Sequence, residues 1–182
     1  MNLFIDTHLF DIVIILENAG KIISSKILNN TKSHSEFLMP CIQEVLKGNI
    51  PDSIIVVNGP GSFTGVRLGV TVAKTLAYTL NIPIRTITSL ELMAININSL
   101  KKIVAFSDNN GYYCGFFDKD NKVIGDYKYL NINEYSEMCS TNDVTEFVTI
   151  DYIKVIDYSL KKEPINPHKV NPVYIKKIDV EK

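Results

Sequence analysis

The feature that most constrains this chain of 182 residues is an apolar run followed by closely spaced glycines. SIIVVN spans residues 53–58, and GPGSFTGVRLG follows at residues 59–69. A continuous apolar strand of this kind is typical of a parallel sheet that is buried on both faces. A glycine-rich turn that opens a helix can also bind phosphate, because the free N–H groups of a helix N-terminus face the anion.

The glycine loop matches neither of the two familiar phosphate motifs. A Walker loop needs GxxxxGK[ST], but Thr64 stands five residues after Gly59, where the motif needs its second glycine. A dinucleotide motif needs an acidic residue about 20 positions further on, and Arg85 stands there instead. An independent nucleotide site is therefore disfavoured. The residues that would lie nearest to a nucleotide, if one binds, are Asp6, Gly59, Gly61, Ser62, Thr64 and Asp108.

The helix predicted at about 64–80 carries small residues at every fourth position: Gly65, Gly69, Ala73 and Ala77. This spacing places them on one face, where another backbone can approach closely. Interior glycines weaken a helix by about 1 kcal/mol each relative to alanine, so close packing must compensate. The residue pattern leaves two partners open, a neighbouring helix of the same fold or a helix of another chain.

The first hundred residues predict a mixed α/β sheet. Short β-type runs at 2–6, 11–16 and 20–25 predict an antiparallel meander, and a helix follows at 33–47. Strands at 52–58 and 82–87 enclose the glycine loop and its helix, and a further helix is predicted at 89–98. This order indicates one layered α/β unit.

The second half predicts a smaller unit. We expect a strand at 103–108 and a hairpin of residues 112–118 and 122–127 around the turn DKDN. A helix at 133–140, a strand at 145–150 and a helix at 151–160 follow. The proline-containing segment from residue 163 onward predicts an extended tail that must dock to be ordered.

The net charge, the spacing of particular residues and the lengths of apolar runs argue against several functional classes. The formal net charge is −1, so no overall field attracts nucleic acid or an anionic membrane. The three histidines lack the spacing of a zinc peptidase, and Ser62 does not lie in a GxSxG motif. The three cysteines lack metal-ligand spacing and indicate free thiols in a reducing compartment. With no apolar run long enough to span a membrane, we expect a soluble cytoplasmic protein.

The stretch GPGSFTGVRLGVTVAKTLAY resembles the signature of the TsaB (YeaZ) family. LFIDT, HSEFLMPCIQEVL, TSLELMA and NPVYIKK are similar to other landmarks of that family and occur in its order. The resemblance implies a two-lobed fold of the actin, Hsp70 and sugar-kinase type (ASKHA), with lobes at 1–100 and 101–182. Because the chain is several tens of residues shorter than typical members, we expect a shortened second lobe.

The resemblance also implies a function. Members of the family act with TsaD, the catalytic subunit that makes threonylcarbamoyladenosine at position 37 of tRNAs that read ANN codons, and the ATPase TsaE docks on the pair. The chain would then be a non-catalytic scaffold that contacts tRNA through the complex, and the resemblance leaves open whether the isolated chain forms a homodimer or stays a monomer. No cofactor is expected, except ATP or ADP at the interface of the assembled complex. The implied interface residues are His34, Leu38, Ile42, Val45, Gly65, Arg67, Gly69, Val72, Ala73, Leu76 and Ala77.

Two departures from the family pattern concern the nucleotide-proximal positions. His8 stands where the family usually has serine, and Asp108-Asn109-Asn110 replaces the usual Asp-Ala-Arg. The alternative from another class is an ATP-binding phosphotransferase of the same superfold, with Asp6, Asp108 and the glycine loop around the nucleotide.

Overall fold

The computed structural model describes residues 1–31 and 33–176. The strands of these residues form two sheets, and five α-helices and one 3-10 helix pack around them. The strands are β1 (Asn2–Asp6), β2 (Ile12–Asn18), β3 (Lys21–Leu28), β4 (Ser53–Val57), β5 (Ile84–Ile87), β6 (Lys101–Asp108), β7 (Gly111–Asp118) and β8 (Lys128–Leu130). The helices are α1 (His34–Leu46), α2 (Phe63–Leu80), α3 (Ser89–Ala94), α4 (Ile132–Thr141) and α5 (Tyr152–Leu160), and the 3-10 helix spans Pro167–Lys169.

The first sheet has the order β3-β2-β1-β4-β5. β1 pairs antiparallel with β2 and parallel with β4, which confirms the predicted mixed sheet. Side chains alternate between the two faces of the strands. Leu3 and Ile5 of β1 pack in the core that contains the inner sides of α1 and α2. Phe4 packs on the opposite face, in the core that contains residues of α3 and α5.

The second sheet has the order β6-β7-β8, and it differs from the predicted hairpin. The tight hairpin joins β6 to β7, whereas the predicted strand at 122–127 is reduced to a single bridge between Phe117 and Val123. The carboxylate of Asp118 accepts hydrogen bonds from the backbone of Asp120 and Lys122 and so forms a turn. The chain then turns away and pairs again only as β8, at the other end of β7.

The predicted strand at 145–150 is also wrong. Only Thr145 bridges β6, next to Val104. Beyond it, Val148 packs in the core of the second sheet and Ile150 in the core of the first. A strand paired along β6 would not reach both cores, and burial of the two side chains outweighs further pairing.

The end of the described chain returns to the first sheet. α5 buries Val155 and Ile156 against it. The tail, residues 163–176, then bridges the edge strand β5 through Ile165 and Ile84. Val170 is buried in the core beneath α2, on the opposite face. The division into lobes at residue 100 stays a prediction, because α5 and the tail of the second half pack in the cores of the first sheet.

Candidate functional site

The small-residue face of α2 packs against the turn that follows β1. The Thr7 hydroxyl donates a hydrogen bond of 2.7 Å to the Gly65 carbonyl oxygen. A methyl group added at Gly65 would meet the Thr7 backbone, and one added at Gly69 would meet the Thr7 hydroxyl, both well inside van der Waals contact. Gly61 approaches the His8 backbone in the same way. Gly61, Gly65 and Gly69, at intervals of four, therefore all contact the turn of this same chain that follows β1.

This packing corrects the interpretation of the small-residue face as a contact surface for another protein. Gly65, Gly69, Ala73 and Ala77 are buried within the chain. On α1, four of the implied interface residues are buried as well: His34, Leu38, Ile42 and Val45. Residues buried in the chain's own core cannot present their side chains to a partner. The interface assignment stays a prediction only for Arg67, Val72 and Leu76.

The outer side of α2 remains available for contact. Arg67, Thr71 and Thr75 are exposed and follow one another at intervals of four, which places them in one row. The Arg67 guanidinium lies 4.9 Å from the centroid of the Phe63 ring. Val72 and Leu76 are half-buried beside this row and pack against the core that also contains the inner side of α1. The surface thus combines a cation, hydroxyls and partly exposed aliphatic groups.

A cleft of about 870 Å³ lies between the glycine loop, the β6–β7 turn and the tail. Three of the predicted nucleotide-proximal residues line it: Gly61, Ser62 and Asp108. Asp6, Gly59 and Thr64 are not among its lining residues. Several aromatic rings and one lysine complete the wall: Phe10, Phe63, Phe106, Tyr113, Tyr174 and Lys176.

The two carboxylates proposed for nucleotide chemistry are already bound by groups of the chain. Asp6 is buried, and its Oδ1 lies 2.6 Å from His8 Nδ1 and accepts the His8 backbone N–H at 3.0 Å. Asp108 accepts the Tyr129 hydroxyl at 2.5 Å and lies 3.3 Å from Lys176 Nζ.

The environment of Asp108 keeps it ionised. Burial raises the pKa of its carboxyl, but hydrogen bonds from Tyr129, the Asn110 backbone and Lys176 outweigh burial and hold this pKa below its usual value. The Lys176 ammonium also lies 4.7 Å from the centroid of the Tyr129 ring. Tyr129 and Lys176, which sequence reasoning missed, therefore join the tail to the second sheet.

Part of the loop's hydrogen-bonding capacity is used inside the fold. The Ser62 N–H donates to the His8 carbonyl oxygen at 2.7 Å. The Ser62 hydroxyl accepts the Gly65 N–H at 3.3 Å and caps α2. These bonds fasten the loop to the β1 turn and leave fewer donors for an anion.

Residues 1–31 and 33–176 contain no metal-binding cluster of acidic, histidine and cysteine side chains and no membrane-spanning helix. No group of three or more histidine, cysteine, aspartate or glutamate side chains in those ranges is placed to hold a metal ion. No helix within the same ranges has the length and apolarity that crossing a bilayer requires.

Comparison with known proteins identifies the family. A family model described as "TsaD: tRNA N6-adenosine threonylcarbamoyltransferase" matches residues 21–108. The tRNA threonylcarbamoyladenosine biosynthesis protein TsaB of Bacillus subtilis (strain 168) is 35% identical over 130 residues, which are 67% of this chain and 57% of that protein. The chain belongs to the TsaB (YeaZ) family. The TsaB of Haemophilus influenzae is 33% identical over 85 residues, 42% of this chain and 36% of that protein.

Solved structures of the TsaB (YeaZ) family share the fold. YeaZ from Pseudomonas aeruginosa has a TM-score of 0.78 at 18% identity, with 95% of this chain and 98% of that one covered. A second structure, described as an uncharacterized protein with similarity to peptidase YEAZ from Pseudomonas aeruginosa, also has a TM-score of 0.78, at 17% identity and 96% and 99% coverage. These similarities show that the chain shares the mixed α/β fold of the YeaZ structures. The chain spans little more than half the length of the Bacillus TsaB.

Proposed function

We propose that the chain is a non-catalytic subunit that pairs with a TsaD homologue in the formation of N6-threonylcarbamoyladenosine at position 37 of ANN-decoding tRNAs. The observation that carries this proposal is its 35% identity over 130 residues to a protein named for threonylcarbamoyladenosine biosynthesis. In this proposal the pair works in the cytoplasm, TsaE docks on it, and tRNA is contacted through the complex.

The surface proposed for pairing is the outer side of α2 together with the neighbouring side of α1. Arg67, Thr71 and Thr75 form its exposed row, and Val72 and Leu76 add apolar area that a partner would bury. Met39, on α1, is a further exposed apolar side chain, with 39% of its surface accessible. An apolar centre with a polar rim is the usual composition of a specific protein interface.

The hydrogen bonds of the two candidate carboxylates support a non-catalytic role. A general base needs a carboxylate that is free to reach the substrate, and a phosphoryl transferase needs carboxylates that hold magnesium. Asp6 is engaged by His8, and Asp108 by Tyr129 and Lys176. Each would have to give up these bonds before acting on a nucleotide.

The proposal is tested with purified chain and a TsaD homologue from the same organism. We expect the two proteins to elute together in size-exclusion chromatography and to restore threonylcarbamoylation of tRNA with the remaining components. Arg67→Glu and Thr75→Arg place a reversed charge and a large side chain on the exposed row, so each should abolish co-elution and tRNA modification. Lys119→Glu, in the exposed turn after β7, is the matched control and should change neither.

Two results would contradict the proposal. Separate elution of the unmodified proteins, together with normal tRNA modification in the absence of this chain, would remove the scaffold role. Tight ATP binding by the isolated chain that is lost in Asp6→Ala would instead favour the phosphotransferase alternative.

A further inference from the structure

A groove opens between β6 and the segment that follows Thr145. The Thr145 N–H donates to the Ile103 carbonyl oxygen at 2.9 Å, and the Ala105 N–H donates to the Thr145 carbonyl oxygen at 3.0 Å. Beyond Thr145 the two backbones separate, and residues 146–150 form no backbone–backbone hydrogen bond with any described residue. The groove has a volume of about 500 Å³, which is within the range of small-ligand sites.

The walls of this groove are mostly apolar. Phe106 lies on the β6 side, and Phe147, which is exposed over 90% of its surface, lies on the opposite segment. The other apolar lining residues are Leu9, Leu92, Met93, Val148 and Ile150. Aromatic and aliphatic walls of this kind can bury the apolar part of a ligand, while a few polar groups fix its orientation.

His8 supplies the groove with a hydrogen-bond acceptor. Its Nδ1 lies 2.6 Å from Asp6 Oδ1, and an ionised carboxylate only accepts hydrogen bonds, so Nδ1 carries a proton. In the neutral ring Nε2 is then an acceptor. The hydrogen bonds that His8 forms with described residues use its backbone and Nδ1. Because His8 lines the groove, its Nε2 is available to a ligand there.

Glu146 gives the groove a negative charge. The lining residues include neither lysine nor arginine, and the salt bridges of the described chain all involve other groups. Burial, Cys139 and Glu146 all raise the pKa of the Tyr135 hydroxyl, so this neighbour stays neutral. A positively charged ligand would therefore meet no competing cation among the residues that line the groove.

We infer that this groove binds a small organic amine. Its ammonium group donates to His8 Nε2 and lies near the Glu146 carboxylate, and its apolar group packs against Phe106. An ammonium group has three donors and no acceptor, which matches an imidazole acceptor beside a carboxylate. The inference goes beyond the proposed function, which gives this groove no role.

The first measurement is an NMR titration of the isolated full chain with 2-phenylethylamine. The amine should shift the amide signals of Ser107, Phe147 and Thr149, which line the groove, in a saturable way. The neutral 2-phenylethanol and the anionic 3-phenylpropanoate carry the same aromatic ring. Each should bind at least about tenfold more weakly, because it lacks the charge-assisted hydrogen bond.

Two variants test the polar contacts separately. His8→Asn keeps an N–H that can reach Asp6 but removes Nε2, and Glu146→Gln keeps the shape of the side chain but removes its charge. Each should weaken binding of the amine about tenfold. Glu163→Gln removes an exposed carboxylate outside the groove, so it changes the net charge equally and should leave binding unchanged. Circular dichroism spectra that match the unmodified chain show that the variants fold.

Four outcomes would overturn the inference. They are the absence of saturable shifts at the groove amides, equal affinity for the amine and the alcohol, tighter binding of 3-phenylpropanoate, and unchanged amine binding in either His8→Asn or Glu146→Gln. Pairing with a TsaD homologue is measured in a separate assay, so the two proposals fail independently.

Discussion

Replacing Gly69 with alanine should destabilise the protein, although alanine is the better helix former. In an exposed helix interior the substitution would stabilise by about 1 kcal/mol. Here the added methyl group would overlap the Thr7 hydroxyl, which donates to the Gly65 carbonyl oxygen at 2.7 Å. The side chain of Thr7 or the backbone of α2 must move to make room.

The expected change in the free energy of unfolding combines two destabilising effects and one stabilising effect. Overpacking a well-filled core costs about 1–3 kcal/mol. Displacing the Thr7 hydroxyl from its buried hydrogen bond costs about 1–3 kcal/mol. After the gain in helix propensity, the free energy of unfolding should fall by about 1–5 kcal/mol.

Urea unfolding followed by circular dichroism measures this change, with Thr75→Ala on the exposed side of α2 as the control. A Thr7→Ala background separates the causes. There the added methyl group at Gly69 meets only the Cβ of residue 7, at 3.5 Å, which is ordinary contact. In that background Gly69→Ala should be neutral or stabilising by up to about 1 kcal/mol. An equal loss of stability in both backgrounds would refute the packing explanation.

Three further predictions concern the cleft, the thiols and the tail. Asp108→Asn should lower the urea midpoint, because it removes a carboxylate that the folded state stabilises. The full difference from the unmodified protein should be present above pH ~4, the usual range of a carboxyl pKa, and it should vanish as the pH falls through the lowered pKa of the folded state. In the native protein a thiol reagent should label Cys139 rapidly and Cys41 and Cys114 only after unfolding, because both are buried and burial raises the pKa of Cys114 to about 12. Val170→Asp should release the tail from the core and speed its cleavage by trypsin. Asp108→Asn should weaken only the contact of the tail residue Lys176 with Asp108.

Sequence periodicity predicted most elements of the first sheet and its helices. Apolar spacing and end signals located α1 and α2 to within a residue or so at each end. The capping box of Thr88 and Glu91 fixes the start of α3, but the helix ends at Ala94, four residues before the predicted end. Such local signals suffice where a helix also buries one continuous face.

The spacing of small residues in the sequence could not identify the group that packs against the small-residue face of α2. Spacing shows that something approaches α2 closely, but the group that does so, Thr7, is 58 residues from Gly65 in sequence. The same limit applies to residues 145–150, where strong strand propensity yields to burial in two separate cores. Sequence periodicity shows which side chains must be buried, but it does not show which residues pack against them.

The path of the tail also determines at which edges the first sheet can add further strands. Ile165 donates its N–H to the Ile84 carbonyl oxygen at 2.8 Å, and the Arg85 side chain donates to the Lys162 carbonyl oxygen, so the β5 edge is occupied by the chain itself. A sheet with two open edges can add copies at both ends and polymerise. With β5 covered by the tail, β3 is the edge that the described strands of this sheet leave open, so the sheet cannot add copies at both ends.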